Sequence, residues 1–305
     1  MTVQPKEVSR MKIGFIGLGI MGMPMARNLL RNKEIELYVY DIDARAVNKT
    51  VQYGAYASTL SEIAQICDVI FLILPNGQIV HDVIFGENMN EFLSPDTTIV
   101  DMSSVTPKDS QICGAKLSDK GVRFLDAPVS GGEPKAIDGT LAFMVGGCEK
   151  DFREIYPLLM YMGTSAVLVG PIGSGSMAKL VNQIIVNLNI ASVSEAFVLG
   201  AKAGCDPMKI YEAIRGGLAG STVLDAKIPL IVSRSFNPGG KISINHKDIK
   251  NALTTAHELD APVPFTSQLF EIFQTMKVHG YMNMDHSFLV HYFEQLADIE
   301  VKEVC

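Results

Sequence analysis

Short apolar runs alternate with helical patterns from Met11 to about Gly170. The apolar runs are KIGFIG, ELYVYD, DVIFLILP, TTIVDMSS and RFLDAPV. This alternation is typical of βαβ units, which stack into a mainly parallel sheet. Each run ends in or near a Gly, Asp, Pro or Ser. In such sheets ligands bind at the carboxyl ends of the strands, so we expect the functional residues there.

After the small-residue segment Gly170–Ser176, long helical patterns replace the strand patterns. They predict helices over residues 177–203, 207–216, 222–234, 246–259, 264–280 and 287–300. The first shows apolar residues at helical spacing, which predicts a helix buried on most sides that runs between two domains. The predicted organisation is a tail over 1–10, an α/β domain over 11–173 and an all-helical domain over 174–305.

Composition limits the possible classes of protein. The chain has 305 residues, of which 48% are hydrophobic and 19% charged, as in globular proteins of roughly two domains. Its net charge of −7 argues against a nucleic-acid surface, since phosphate binding needs clustered Lys and Arg. No run reaches the roughly 18 uninterrupted apolar residues of a membrane span, and the N-terminus lacks a secretory pattern.

Cysteine and histidine usage argues against disulfides and metal sites. The five cysteines are odd in number and never form C-x-x-C, so neither a disulfide framework nor a zinc site is predicted. This usage fits a reducing, cytoplasmic environment. The six histidines show no H-E-x-x-H pattern, and we interpret them as surface or core residues.

A glycine-rich turn follows the first apolar run and precedes a helical pattern. Bare backbone at such a turn, next to the positive end of a helix dipole, suits a pyrophosphate. The predicted cofactor contacts in this turn are Gly17, Leu18, Gly19, Ile20, Met21 and Gly22. The context indicates a Rossmann-like, dinucleotide-binding domain with a mainly parallel sheet, followed by the all-α domain.

Asp41 lies nineteen residues beyond Gly22, at the end of the next predicted strand. A carboxylate there accepts hydrogen bonds from both ribose hydroxyls and repels a 2′-phosphate, which favours NAD and leaves NADP possible. A second interpretation, which can hold at the same time, is that Asp41 is a helix N-cap.

The following strand ends supply further candidates for the nicotinamide half of the cleft. They are Leu74, Pro75, Asn76, Asp101, Ser103 and Ser104. For Asn76 and Ser103 a role as an ordinary loop cap is equally consistent with the sequence, whereas for Ser104 we favour a ligand contact.

The segment DAPVSGGEPKAIDGTL, residues 126–141, contains a strand that stops at a proline and opens into Ser130, Gly131 and Gly132. Two adjacent glycines offer backbone N–H groups that no side chain shields. Such a concavity suits an anion, and we expect a small carboxylate. Alone, a segment of this kind is more often a turn than a site.

Lys179 stands on an otherwise apolar helical pattern, where an ammonium loses hydration unless a cleft uses it. Asn182 and Gln183 follow at spacings of three and four, so the three side chains share one helix face. A snorkelling surface lysine is the usual alternative. The amide neighbours and the preceding glycine-rich segment weaken that alternative.

Together these residues resemble the β-hydroxyacid dehydrogenases, and within that family the tartronate semialdehyde reductase group. The resemblance runs from Met11 nearly to the C-terminus. It rests on GFIGLGIMGMPMARNLL (14–30), DMSS (101–104), DAPVSGGEPKAIDGTL (126–141), GSGSMAKLVNQ (173–183), AIRGGLAGSTVLDAK (213–227) and HKDIKNAL (246–253). The segments 126–141 and 213–227 are the most specific. The sequence assigns no role to Arg215 in the latter.

The resemblance implies that Lys179 is the catalytic acid and base and that Ser130, Gly131 and Gly132 bind the substrate carboxylate. It implies that Ser104 touches the cofactor, and that Lys247, from the helical domain, closes over the nicotinamide side near the substrate. Many relatives place an asparagine four residues after the lysine. This chain has Gln183 there, and Asn182 is the alternative catalytic amide.

The implied activity is NAD(P)H-dependent interconversion of tartronate semialdehyde and D-glycerate, with a small hydroxy or semialdehyde carboxylate as substrate. The alternatives are a 3-hydroxyisobutyrate dehydrogenase or a reductase of succinic or another short semialdehyde. A non-catalytic NAD(H)-binding module is disfavoured, because the lysine and the Ser-Gly-Gly donors are both present. Broad apolar helices in the second half predict a homo-oligomer.

Overall fold

The computed structural model describes residues 10–237 and 239–303 of the chain. Apart from Arg10, the predicted tail lies outside the described residues. The chain divides into two compact units, Met1–Lys179 and Leu180–Cys305. The first is built around a sheet and the second from helices.

Nine strands in the described part of the chain form one sheet. They are β1 (Met11–Ile16), β2 (Ile35–Tyr40), β3 (Tyr56–Ala57), β4 (Val69–Leu72), β5 (Thr98–Asp101), β6 (Arg123–Asp126), β7 (Val129–Ser130), β8 (Leu141–Gly146) and β9 (Gly163–Gly170). Their order is β3-β2-β1-β4-β5-β6-β8-β7, with β9 also paired to β8. The pairs from β3 to β6 are parallel, while β8 runs antiparallel to β6 and β7. The predicted mainly parallel sheet is therefore confirmed.

Helices cover both faces of this sheet. They are α1 (Gly22–Leu29), α2 (Ala44–Val51), α3 (Leu60–Ile66), α4 (Gly77–Phe85), α5 (Glu87–Asn90), α6 (Pro107–Ser118), α7 (Gly132–Asp138) and α8 (Glu149–Leu159). Successive residues of a strand point to opposite faces, so Phe71 enters one core with Phe15 while its neighbours Ile70 and Leu72 enter the other. Burial on both sides explains why the central strands are continuous apolar runs.

The second unit is helical, as predicted. Its helices are α9 (Ser174–Lys202), which begins in the first unit, α10 (Pro207–Ile214), α11 (Thr222–Val232), α12 (Ile242–Glu258), α13 (Pro264–Val278) and α14 (Val290–Ala297). Two short 3₁₀ turns, Tyr281–Asn283 and His286–Leu289, precede α14. Each of the six predicted helices is present, although α12 begins four residues before its predicted start.

Helix α9 differs from its prediction in burial. Leu180, Ile190 and Phe197 are almost fully buried, but Val181 is 52% and Ile185 61% exposed. The expectation of burial on most sides is therefore wrong for the described chain, because other residues cover only one face. Among the described residues α9 alone has the length and composition of a membrane span, with 33% of its most apolar window buried. Core helices of soluble proteins meet the same criterion.

A buried carboxylate joins α11 to the loop before α12 and to the 3₁₀ turn before α14. Asp285 is 1% exposed, and its Oδ2 accepts the backbone N–H groups of Gly239 and Gly240 at 3.1 and 3.0 Å. Its Oδ1 accepts the Ser287 N–H at 2.9 Å and lies 3.2 Å from Lys227 Nζ on α11. One side chain thus connects α11 to the Gly239–Gly240 segment and to the 3₁₀ turn His286–Leu289.

Replacing this carboxylate tests its contribution to stability. We expect Asp285→Asn to lower the free energy of unfolding by about 3 kcal/mol, because Lys227 loses its partner in a largely buried position. Urea unfolding followed by circular dichroism measures the change. The double variant Lys227→Met/Asp285→Asn removes the stranded charge and should recover part of the loss. Equal stability of Asp285→Asn and the wild type would contradict this assignment.

Candidate active site

The glycine turn over residues 17–22 has the shape that a pyrophosphate requires. Gly17 has φ +96°, in the left-handed region, and a side chain there would collide with the carbonyl oxygen of Ile73. A Cβ on Gly22 would collide with the Gly17 carbonyl, whereas one on Gly19 would project into open space. Two glycines therefore allow the close turn, and the third leaves room beside the backbone.

The remaining residues of this turn also leave the start of α1 open for a phosphate group. Met21 is the N-cap of α1, and no described side chain caps this helix end by a hydrogen bond. Leu18 is buried at 1% exposure, while Ile20 is 47% exposed. The first turn of α1 therefore presents its dipole and backbone donors in the manner that phosphate sites use. The turn fits a dinucleotide.

Asp41 follows β2 and supports the glycine turn. Its Oδ2 accepts the Leu18 N–H at 2.6 Å and its Oδ1 accepts the Asp43 N–H at 2.7 Å. The N-cap of α2 is Asp43, which accepts the Arg45 N–H at 3.0 Å, so the N-cap interpretation of Asp41 is wrong. Asp41 instead places a half-buried carboxylate next to the turn.

The ends of β4 and β5 are connected by side-chain hydrogen bonds. Asn76 is the N-cap of α4 and accepts the Ile79 N–H at 3.0 Å. Ser103 is 1% exposed, and its hydroxyl accepts the Leu74 N–H at 2.8 Å. For Asn76 and Ser103 the structure therefore shows the structural role. Ser104 is half-buried, and Pro75 is exposed.

Two buried carboxylates lie side by side where β5 and β6 end. Asp101 and Asp126 are register partners, and each is 1% exposed. Asp101 accepts the Ser103 N–H at 2.9 Å. Burial raises the pKa of Asp101 to about 6. The hydrogen bonds from Ser103 favour the ionised form and partly oppose this rise. Burial also raises the pKa of Asp126.

The Ser-Gly-Gly segment forms a sharp strand-to-helix turn. Ser130 ends β7, Gly131 is the N-cap of α7 with φ +140°, and Gly132 has φ +70°. A Cβ on Gly131 would lie 2.7 Å from the Cβ of Lys135. Both positions therefore need glycine. The backbone of Gly131 and Gly132 is exposed, as expected for donors that face a ligand.

Helix α7 is held in place by a contact from α1. Asn28 is 2% exposed, and its Nδ2 donates to the carbonyl oxygen of Ala136 at 2.8 Å. A buried amide that loses such a partner leaves an unsatisfied polar group, so the contact strongly favours this arrangement. The glycine turn and the Ser-Gly-Gly turn are thereby attached to each other through their helices.

Lys179 lies on the second turn of α9 and is half-buried. Asn182 and Gln183 follow on the next turn, and the Asn182 Nδ2 donates to the Gln183 Oε1 at 2.9 Å. Gln183 is 7% exposed, while Asn182 is half-buried. The two amides therefore form a hydrogen-bonded pair one helix turn after the lysine.

In the second unit Gln183 contacts a carboxylate that the sequence did not single out. Its Nε2 donates to Asp248 Oδ2 at 2.6 Å, and Lys247 Nζ lies 3.1 Å from Asp248 Oδ1. Asp248 is 1% exposed. One buried carboxylate thus joins the amide of Gln183 to the ammonium of Lys247.

Arg215, to which the sequence assigned no role, belongs to a structural cluster. Its guanidinium lies 4.7 Å from the centre of the Tyr211 ring and 3.5 Å from Asp225. The Tyr211 hydroxyl donates to Asp225 at 2.8 Å. These contacts join α10 to α11 across the specific segment 213–227.

The described residues contain no group of three His, Cys, Asp or Glu side chains that could hold a metal ion. The four described cysteines are free, and two are buried, Cys67 and Cys113. Burial raises the pKa of both buried thiols to about 12, so they stay protonated. Cys305 lies outside the described residues.

Comparison with known proteins identifies the family. Residues 12–170 match the NAD binding domain of 6-phosphogluconate dehydrogenase, and residues 173–293 match the NAD-binding domain of NADP-dependent 3-hydroxyisobutyrate dehydrogenase. The chain is 41% identical over 290 residues to 2-hydroxy-3-oxopropionate reductase of Escherichia coli (strain K12), covering 94% of this chain and 99% of the relative. The chain belongs to the β-hydroxyacid dehydrogenase family. It is an NAD(P)-dependent oxidoreductase acting on a CH–OH group.

Other relatives have different substrates in their names. A 2-(hydroxymethyl)glutarate dehydrogenase of Eubacterium barkeri is 37% identical, covering 95% of this chain and 97% of the relative. The solved structure of 3-hydroxyisobutyrate dehydrogenase from Salmonella typhimurium has a TM-score of 0.82 at 27% identity, covering 92% of this chain and 99% of that one. The predicted fold, an α/β domain followed by a helical one, is confirmed.

Sequence patterns gave no role to Asp126 or Asp248, which the structure places among the candidate residues. In the sequence analysis Asp126 was named only as the first residue of the segment 126–141. The available signal was an acidic residue at the end of an apolar run, which needs compensation wherever it is buried. Asp248 gave no local signal beyond its adjacency to Lys247.

The raised pKa of Asp101 predicts a pH dependence of stability. Because the folded-state pKa of about 6 lies above the ordinary 3.8, the stabilisation is complete below about pH 4 and is lost as the pH rises through 6. Relative to Asp101→Asn, the wild type should lose about 3 kcal/mol of unfolding free energy over this interval. Urea unfolding of both proteins between about pH 3 and pH 7 measures the difference.

Asp119→Asn, at an exposed position, serves as the control. Its unfolding free energy should change with pH in the same way as that of the wild type. A constant stability difference between Asp101→Asn and the wild type across the interval would contradict the predicted titration.

Proposed function

We propose that this protein is a 2-hydroxy-3-oxopropionate (tartronate semialdehyde) reductase that interconverts this aldehyde and D-glycerate with Lys179 as acid and base. The observation that carries the chemistry is a half-buried lysine on an apolar helix, one turn before two linked amides. The similarity at 41% identity over nearly the whole chain supports the substrate, as does the segment 213–227.

In this proposal the chain's own residues bind the substrate and move the proton. The backbone N–H groups of the exposed residues Gly131 and Gly132, with the Ser130 hydroxyl, hold the carboxylate. The Lys179 ammonium gives its proton to the oxygen on which negative charge develops during reduction, and neutral lysine takes a proton in the reverse direction. The bound nicotinamide supplies or accepts the hydride.

The cofactor would lie on the glycine turn, with Gly17 to Gly22 at its pyrophosphate and Asp41 at the ribose. Leu74, Pro75, Asn76 and Ser104 would border it at the strand ends. We propose NADH as the preferred donor, because the Asp41 carboxylate repels a 2′-phosphate. Lys247, oriented by Asp248, would contact the cofactor and the substrate.

Of the two amides, we propose that Asn182 is the one that acts on the substrate. Gln183 is almost fully buried, with its nitrogen engaged by Asp248 and its oxygen by Asn182. Asn182 is the more exposed partner of the pair. Gln183 would then orient Asn182 rather than contact the substrate.

We further propose that the working form is a homo-oligomer. The exposed face of α9 includes Val181, Ile185 and Leu199, the last at 73% exposure. Grouped apolar side chains on a helix face are commonly covered by another chain. Light scattering that gives the monomer mass at micromolar concentration would contradict this part.

The role of Lys179 is tested by Lys179→Ala. We expect kcat to fall by about 10²- to 10⁴-fold while NADH binding, followed by fluorescence, is retained. Lys202→Ala, at an exposed lysine at the end of the same helix, is the matched control and should keep its activity. Under the same assay Asn182→Ala should lower kcat/KM more than Gln183→Ala. Near-wild-type turnover of Lys179→Ala would remove the mechanism.

The substrate is tested by a steady-state comparison. We expect kcat/KM for tartronate semialdehyde to exceed that for methylmalonate semialdehyde and succinic semialdehyde by about tenfold or more, since one group in a pocket has an effect of that size. Each aldehyde is assayed with NADH and with NADPH, and NADH should be preferred. A higher kcat/KM for either competing aldehyde would replace the proposed substrate, although the lysine mechanism would stand.

A further inference from the structure

The first turn of α9 is attached to the sheet by one buried carboxylate. Asp126, the last residue of β6, accepts the Gly173 N–H on Oδ1 and the Ser176 N–H on Oδ2, both at 2.7 Å. The donors flank the helix start at Ser174. Each carboxylate oxygen therefore has its own backbone donor, and its negative charge lies at the positive end of the helix dipole.

Two glycines let the helix backbone approach the strand ends directly. A Cβ on Gly175 would collide with the carbonyl oxygens of Met144 and Asp126, and a Cβ on Gly146 would collide with the Asp126 carboxylate. The backbone of the helix start therefore packs directly against the ends of β6 and β8. Packing this close leaves no space for the turn to shift.

A third attachment comes from α6. The hydroxyl groups of Ser110 and Ser176 lie 2.9 Å apart in a buried position. Ser176 thus contacts the sheet edge through its backbone and α6 through its side chain. The start of α9 is held by the sheet edge and by α6.

This attachment determines the position of Lys179. Ser176 precedes Lys179 by three residues, which is about 4.5 Å of helix rise and less than one turn. Asp126 also leads, through β7, directly into Ser130 and the two glycines. The same residue therefore connects the lysine helix to the turn proposed to hold the carboxylate.

We propose that Asp126 is the positioning residue of the active site, which sets the location of the Lys179 amine relative to the Ser130–Gly132 turn. The inference rests on the proposed function. It assigns Asp126 a role through Lys179 and no contact with the substrate. A displacement of about 1 Å in such a group lowers the rate about 10²-fold.

The test uses Asp126→Asn in the full chain. An amide of the same size has one acceptor oxygen, so its NH₂ group faces one of the two backbone donors and the helix start must move. We expect kcat per NADH-binding site to fall by about 10- to 100-fold. The KM for the aldehyde and the Kd for NADH should stay within about threefold. Counting active sites by NADH binding removes any loss that comes from unfolded protein.

Asp206→Asn is the matched control. Asp206 is also a carboxylate that accepts two backbone N–H groups at a helix start, those of Met208 and Lys209 on α10. We expect its kcat per site to equal that of the wild type. If Asp126→Asn is insoluble, Asp126→Glu keeps both oxygens but moves them by one methylene, and the same loss of kcat per site is expected.

A double variant separates positioning from independent effects. If Asp126 acts through Lys179, Lys179→Ala/Asp126→Asn should have the kcat of Lys179→Ala alone. A double variant slower by the full product of the two losses would overturn the inference, as would wild-type kcat per site in Asp126→Asn. Turnover that survives in Lys179→Ala itself would instead overturn the proposed function.

Discussion

The first unit depends on how two adjacent carboxylates are accommodated at the carboxyl edge of its sheet. Asp101 and Asp126 are register neighbours in an interior where charge is poorly solvated, and burial raises the pKa of both. Backbone N–H groups offset this, from Ser103 for one and from Gly173 and Ser176 for the other. Each carboxylate therefore organises a different loop.

The two loops correspond to the two halves of the proposed chemistry. Asp101 orders Ser103, whose hydroxyl in turn fixes Leu74 at the end of β4, where the cofactor is expected. Asp126 orders the start of the helix that carries Lys179. A site built on strand ends and a helix start is more rigid than one built on long loops, which suits proton transfer at a defined atom.

The second unit also contains a buried carboxylate with polar partners. Asp248 contacts the Gln183 amide and the Lys247 ammonium. An ammonium and an amide that share one buried carboxylate restrain each other, so replacing either partner should alter the position of the other. The family relationship sets the reaction class, while the relatives differ in the substrates of their names. The family relationship alone therefore does not select one substrate.

Features that depend on local order could be predicted from the chain alone, whereas the pairing of distant groups could not. The spacing of Gly17, Gly19 and Gly22 predicted the turn, because the positive φ of Gly17 and the close approach of Gly22 to the Gly17 carbonyl are set within the turn itself. Asp126, by contrast, finds its donors 47 and 50 residues away, and burial and chain topology choose such partners. The burial of α9 was predicted wrongly for the same reason: apolar spacing shows that a face is hydrophobic, but the fold decides what covers it.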